Sequence, residues 1–170
     1  MRGEGWSVGN DNAPVTLTGG APAIDEVVAV ARRDAPVEVS PAALAAMARS
    51  AALVDGFVAS GRVVYGVTTG FGSLANRVIP AERTAELQVA LVRSHAAGMG
   101  DPVEREVVRA MLFLRARSLT MAHSGVRPEV VALQVALLNA GITPVVREHG
   151  SLGASGDLAG QGVLRETEAP

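Results

Sequence analysis

Three helical patterns follow one another across residues 81–97, 102–122 and 128–140, and their proline and glycine punctuation constrains this chain more than any other feature. Asp101 followed by Pro102 reads as an N-cap and first-turn pair, Pro128 opens the third pattern and Gly141 closes it. Proline fits the first helical turn, where its missing N–H costs nothing, and glycine accepts the left-handed backbone that ends a helix. In the middle pattern Val103, Val107, Met111, Leu114, Ser118 and Met121 form one stripe, which Val108, Leu112 and Leu119 widen. So broad a stripe is expected of a helix packed on more than one neighbour. All three helices are therefore expected inside a bundle.

Upstream the patterning is mixed. Residues 13–20 (APVTLTGG) read as a short strand ending in a glycine turn, and residues 24–33 as a short amphipathic helix turned inward through Ile24, Val27, Val28 and Ala31. Residues 37–39 form a second short strand, after which Ser40 and Pro41 are an N-cap and N1 pair opening a helix that closes near Gly61. Residues 63–79 have no helical period and hold the sole tyrosine, Tyr65, so they read as a loop. Residues 142–146 make a brief extended run, and residues 150–156 a Gly/Ser loop with Gly150, Gly153 and Gly156 at three-residue spacing. The fold expected is mainly α with a few short strands.

Composition removes whole classes of chemistry. A chain of 170 residues that is 48% apolar can build one domain with a real core. All 15 basic residues are arginine, so there is no lysine for a pyridoxal Schiff base (no PLP) or for a P-loop. Cysteine is absent, which excludes disulfides, thiolate nucleophiles and Cys-ligated zinc. A net charge of -2 with scattered arginines offers no footprint for nucleic acid. Residues 1–20 are polar and Gly-rich, and no run reaches the roughly 18 uninterrupted apolar residues of a membrane helix. A soluble, cytoplasmic protein that does not engage membranes is expected. His95, His123 and His149 are too isolated to suggest a metal site.

The segment GSLGASGDLA at 150–159 admits three readings. It can be a flexible turn. It can be an anion cradle of backbone N–H groups, although it lacks the lysine and the spacing of a phosphate loop. The third lies in the chemistry of Ala154-Ser155-Gly156. A glycine nitrogen without a neighbouring Cβ can approach the carbonyl carbon two residues back, and serine can lose water across its Cα–Cβ bond. Cyclisation with dehydration then yields an exocyclic methylene electrophile.

Two other segments carry reactive side chains in chemically open contexts. Tyr65 sits in Tyr65-Gly66-Val67-Thr68-Thr69-Gly70-Phe71-Gly72, where a tyrosine can simply pack with its hydroxyl on a buried partner. His95 follows Ser94 at the end of a helical pattern, a place where histidine commonly serves terminal carbonyls.

Together these segments resemble the aromatic amino acid ammonia-lyase and aminomutase family. The stretch at 150–159 is similar to the family segment in which Ala-Ser-Gly becomes the prosthetic group 4-methylidene-imidazol-5-one, MIO, and YGVTTGFG at 65–72 resembles its YGxxTGFG loop. The resemblance implies that Ala154, Ser155 and Gly156 form MIO autocatalytically and that Tyr65 is the general base for a substrate β-proton, carried on a mobile loop. It also implies that Ser94 and His95 fall where the substrate ring is selected. A polar His95 there fits the histidine-using branch, in which L-histidine gives ammonia and trans-urocanate. Tyrosine and phenylalanine ammonia-lyases or aminomutases are the nearest alternatives.

The run from His123 to Glu129 and that from Leu138 to Val146 continue the likeness, which extends from about residue 15 to Ala159 and stands at 1–159 as an N-terminal portion of the family fold. Residues 160–170 (GQGVLRETEAP) diverge as a tail. The family's central bundle and several of its active-site residues then have no counterpart, and truncation or a frameshift is the expected explanation. The family assembles as a homotetramer with shared sites, so a homo-oligomer or a complementing chain is the expected partner. A non-catalytic fragment, either inert or acting as a subunit that docks onto a second chain, is the alternative from a different class.

Overall fold

A computed structural model describes residues 13–70, 80 and 83–150. Nine elements are ordered along them: β1 (Val15–Leu17), α1 (Ile24–Arg33), β2 (Val37–Val39), α2 (Pro41–Ala59), α3 (Thr84–His95), β3 (Met99–Pro102), α4 (Arg105–Thr120), α5 (Pro128–Asn139) and β4 (Arg147–His149). The chain divides into two compact units, the first comprising Met1–Met47, Arg105–Ala122 and Arg127–Thr143, the second Ala48–Glu104, His123–Val126 and Pro144–Pro170.

The first unit joins a two-stranded sheet to three helices. β1 and β2 pair in parallel, with Val15, Thr16 and Leu17 opposite Val37, Glu38 and Val39. α1 makes the crossover that a parallel pair requires. Its start is fixed by Glu26, whose Oε2 accepts the Ala23 N–H at 2.7 Å; Ala23 has no side-chain oxygen to return the bond, so this is half of a capping box. Val30 and Ala31 are its buried residues, and Ile24 is 82% exposed. The inward face therefore lies off the expected stripe, with Ala31 alone of its four members buried.

α4 packs between α1 and α5. Val108, Leu112, Phe113, Ala116 and Leu119 are buried, whereas Val107, Met111, Leu114 and Met121 are exposed. The sequence stripe thus marks the outward apolar face, and the residues expected only to widen it form the core. The same burial draws in Arg109, which is 0% exposed. Its Nε donates to the Val30 carbonyl and its Nη1 to that of Leu138, each at 3.1 Å, while Nε also lies 3.0 Å from Asp34 Oδ1. Desolvation pulls its guanidinium below the usual pKa, and the Asp34 carboxylate opposes that shift. Asn139 completes the unit by pairing with a strand as another strand would: its Oδ1 accepts the Val37 N–H at 2.8 Å and its Nδ2 donates to the Val37 carbonyl at 2.9 Å.

α2 starts as the sequence predicts, with Ser40 Oγ accepting the Ala43 N–H at 3.2 Å. Among the described helices it alone is long and apolar enough to cross a membrane, with 19 residues and a mean hydropathy of 1.4. Arg49 and Asp55 interrupt it, and Ala43, Met47 and Ala51 make a buried stripe at four-residue spacing. That pattern is the mark of a helix packed along one face.

In the second unit β3 and β4 pair antiparallel, Met99 opposite His149 and Pro102 opposite Arg147, with a register shift between them. Asp101 and Pro102 therefore end a strand and do not cap α4, which starts at Arg105. The cause is a partner far away in sequence: Val103 N–H donates to the Val146 carbonyl at 2.8 Å, which extends the ladder past Pro102. β4 likewise falls beyond the extended run expected at 142–146.

Candidate active site

The Tyr65 turn grows out of the end of α2. As the helix unwinds, Ser60 N–H donates to the Gly56 carbonyl, Gly61 N–H to that of Val58 and Arg62 N–H to that of Phe57, at 3.0, 3.1 and 3.1 Å. The Arg62 guanidinium carbon stands 5.0 Å above the centre of the Phe57 ring, a cation–π contact that clasps the exit residue to the helix. A tight turn follows, with Val67 and Thr68 N–H groups both donating to the Val64 carbonyl at 3.1 and 3.0 Å. Tyr65 projects from this turn and is 63% exposed.

Ser94 and His95 close α3, whose last backbone bond runs from Ala96 N–H to the Val92 carbonyl at 3.0 Å. Ser94 is exposed. Three residues past His95 the chain enters a crowded glycine pair. A Cβ on Gly98 would lie 3.2 Å from Arg147 Cβ, and one on Gly100, at φ +86°, would lie 3.0 Å from His149 Cδ2. Such spacing accepts glycine alone without adjustment. The Arg147 side chain then turns back to donate through Nη1 to the Gly100 carbonyl at 2.8 Å.

The same β3–β4 ladder runs between two of the candidate segments. β3 begins four residues after His95, and β4 ends one residue before Gly150, where the Gly/Ser segment begins. Two candidate segments more than fifty residues apart in sequence are thereby tied by one pair of strands. Tyr65, Ser94, His95 and β4 all belong to the second unit. Ala154, Ser155 and Gly156 lie outside the described residues. Among the described residues no cluster of histidine, aspartate and glutamate is arranged to hold a metal ion.

Sequence reasoning missed the side chains that shape these segments. Thr68 and Thr69 are hydrogen-bonded within the Tyr65 turn, and two threonines between glycines are a known signal for side-chain-closed turns. Arg147 and the glycines facing it had no local signal, because their pairing joins distant segments.

A helical chain with a glycine-bounded tyrosine turn, a Ser-His helix end and a strand pair leading into Ala-Ser-Gly defines a class of protein, and comparison agrees: residues 23–164 match the aromatic amino acid lyase family. The chain belongs to that family. Histidine ammonia-lyase of Streptomyces griseus is 58% identical over 135 residues, covering 79% of this chain and 26% of that protein. The crystal structure of histidine ammonia-lyase from Trypanosoma cruzi superposes with a TM-score of 0.76 at 36% identity, over 86% of this chain and 28% of that one. Tyrosine aminomutase from Streptomyces globisporus gives a TM-score of 0.81 at 34% identity, over 88% and 28%. This chain thus spans little more than a quarter of the length of the relatives it matches.

Proposed function

We propose that this chain is the N-terminal portion of an MIO-dependent carbon–nitrogen lyase that eliminates ammonia from L-histidine to give trans-urocanate. The supporting observation is the β3–β4 ladder, which ties the segment just after Ser94 and His95 to the segment leading into Ala154-Ser155-Gly156. Histidine is favoured as substrate by the relatives named histidine ammonia-lyase, which are 45–58% identical over about four fifths of this chain.

The residues fit the prosthetic group chemically. Gly156 has no Cβ to keep its nitrogen from the Ala154 carbonyl carbon, and Ser155 carries the hydroxyl to be lost as water. Once formed, MIO supplies an electrophile that activates the substrate for loss of ammonia. Tyr65, 63% exposed on its turn, takes the β-proton at its phenol oxygen. Ser94 and His95 recognise the imidazole by hydrogen bonding, where an apolar pair would suit a phenyl ring.

In this reading residues 1–159 are the lyase portion and residues 160–170 a divergent tail, although the family match itself runs to residue 164. The protein works in the cytoplasm in histidine catabolism, as a homo-oligomer or with a complementing chain. The exposed apolar stripe of Val107, Met111, Leu114 and Met121 supports a need for partner surface.

Ammonia release by the purified chain, alone and mixed with a lyase chain carrying the remaining three quarters, tests the proposal with L-histidine, L-tyrosine and L-phenylalanine. Release selective for L-histidine is expected. Preference for L-tyrosine or L-phenylalanine would move the chain to another branch of the family, and release from none in either format would leave a non-catalytic fragment.

A further inference from the structure

The Tyr65 turn is closed by side chains as well as by backbone. Thr68 Oγ1 accepts the Val64 N–H at 2.9 Å and donates to the Arg62 carbonyl at 2.7 Å. Thr69, only 2% exposed, accepts the Gly66 N–H through Oγ1 at 3.3 Å and donates to the Gly70 carbonyl at 3.1 Å. The two hydroxyls therefore bind the residue before Tyr65 and the residue after it. Each uses both its donor and its acceptor capacity. The Thr68 bond to Arg62 also carries the turn back to the end of α2, where Arg62 is fastened to Phe57.

Glycine at 66 and at 70 leaves this backbone free to take other turns, so something must select the one observed. Among the described residues, backbone bonds from Val67 and Thr68 to the Val64 carbonyl hold the side of the turn that precedes Tyr65. We infer that Thr68 and Thr69 are positioning residues: their hydroxyls lock the turn on both flanks of Tyr65 and so fix where its phenol is presented. The inference rests on the reading of Tyr65 as the proton-abstracting base and adds to it the device that aims the base. A methyl in place of either hydroxyl leaves an amide and a carbonyl unpaired, and the turn relaxes into several conformers.

Tyr65 is the only tyrosine of the chain, so tyrosine labelled with 13C at Cζ alone gives one resonance that reports on this turn and nothing else. The full chain is expected to show one sharp signal. Thr68→Val and Thr69→Val are expected to broaden or split it, and Thr68→Ser and Thr69→Ser, which keep the hydroxyl, to restore it. A sharp, unmoved resonance in both valine variants would overturn the inference. In the ammonia-release assay with L-histidine the valine variants are expected to lose about tenfold in kcat with KM nearly unchanged, and the serine variants to recover. An equal loss in the serine variants, with the resonance restored, would overturn the positioning role. Full turnover by Tyr65→Phe would sink the base assignment itself, and the resonance test of the brace would stand apart from that failure.

Discussion

Arg109 Nε lies 3.0 Å from Asp34 Oδ1 while the same guanidinium holds the carbonyls of Val30 and Leu138, so one buried side chain joins α1, α4 and α5. Its charge is offset on one side by a half-exposed carboxylate and on the others by carbonyl dipoles at two helix ends. Replacing Arg109 by alanine strands both carbonyls and opens a cavity, and is expected to cost about 2–5 kcal/mol in urea unfolding. Arg109→Lys, which offers a point charge and no planar fork, is expected to recover only part of that.

Asp34 holds a left-handed backbone, φ 54°, where it caps α1, and its Oδ1 accepts from Arg105 Nη2 at 2.8 Å. That bond, with the nearby charges of Arg109 and Arg105, keeps its carboxyl below the usual carboxylate pKa. A lowered folded-state pKa means stability that is present above the unfolded value and lost as pH falls through the folded one. Asparagine tolerates the same left-handed backbone, so Asp34→Asn isolates the charge. Thermal melts are expected to show the variant less stable at neutral pH, with the gap closing in acid below the normal carboxylate range.

Asn139 stands in for a third strand beside β2 through its two bonds to Val37. Asn139→Ala is expected to cost about 1–3 kcal/mol, the range for buried backbone groups left unpaired. Amide exchange at Val37 is the specific readout, and it should accelerate.

Gly100→Ala sets a Cβ against the His149 ring at a φ that alanine resists. The cost expected is about 1–3 kcal/mol, confined to the β3–β4 ladder. Loosening that ladder should also lower ammonia release, because it holds the chain on either side of the proposed site.

Much of the fold is legible in the residues, and the exceptions share a cause. Ser40 and Pro41 start α2, Pro128 starts α5 and residues 24–33 are helical as read, since each of these signals acts within one turn. Periodicity along α4 shows which residues share a face but not which face is buried. Contact with α1 and α5 chose the face of Val108 and Leu112 over that of Val107 and Met111 and carried Arg109 inside with it. Asp101 and Pro102 look like a helix start until Val146, more than forty residues away, claims the neighbouring amide. In the candidate site the loop around Tyr65 and the helix end at His95 were readable. The bracing by Thr68, Thr69 and Arg147 was not, because hydrogen bonds have no period.

The most direct test of the central claim is ammonia release from L-histidine by the chain, in whichever format it is active, compared with Ser155→Ala. Alanine has no hydroxyl to lose, so no methylidene group can form. The account predicts release by the parent and none above background by the variant. Undiminished release by Ser155→Ala would contradict it.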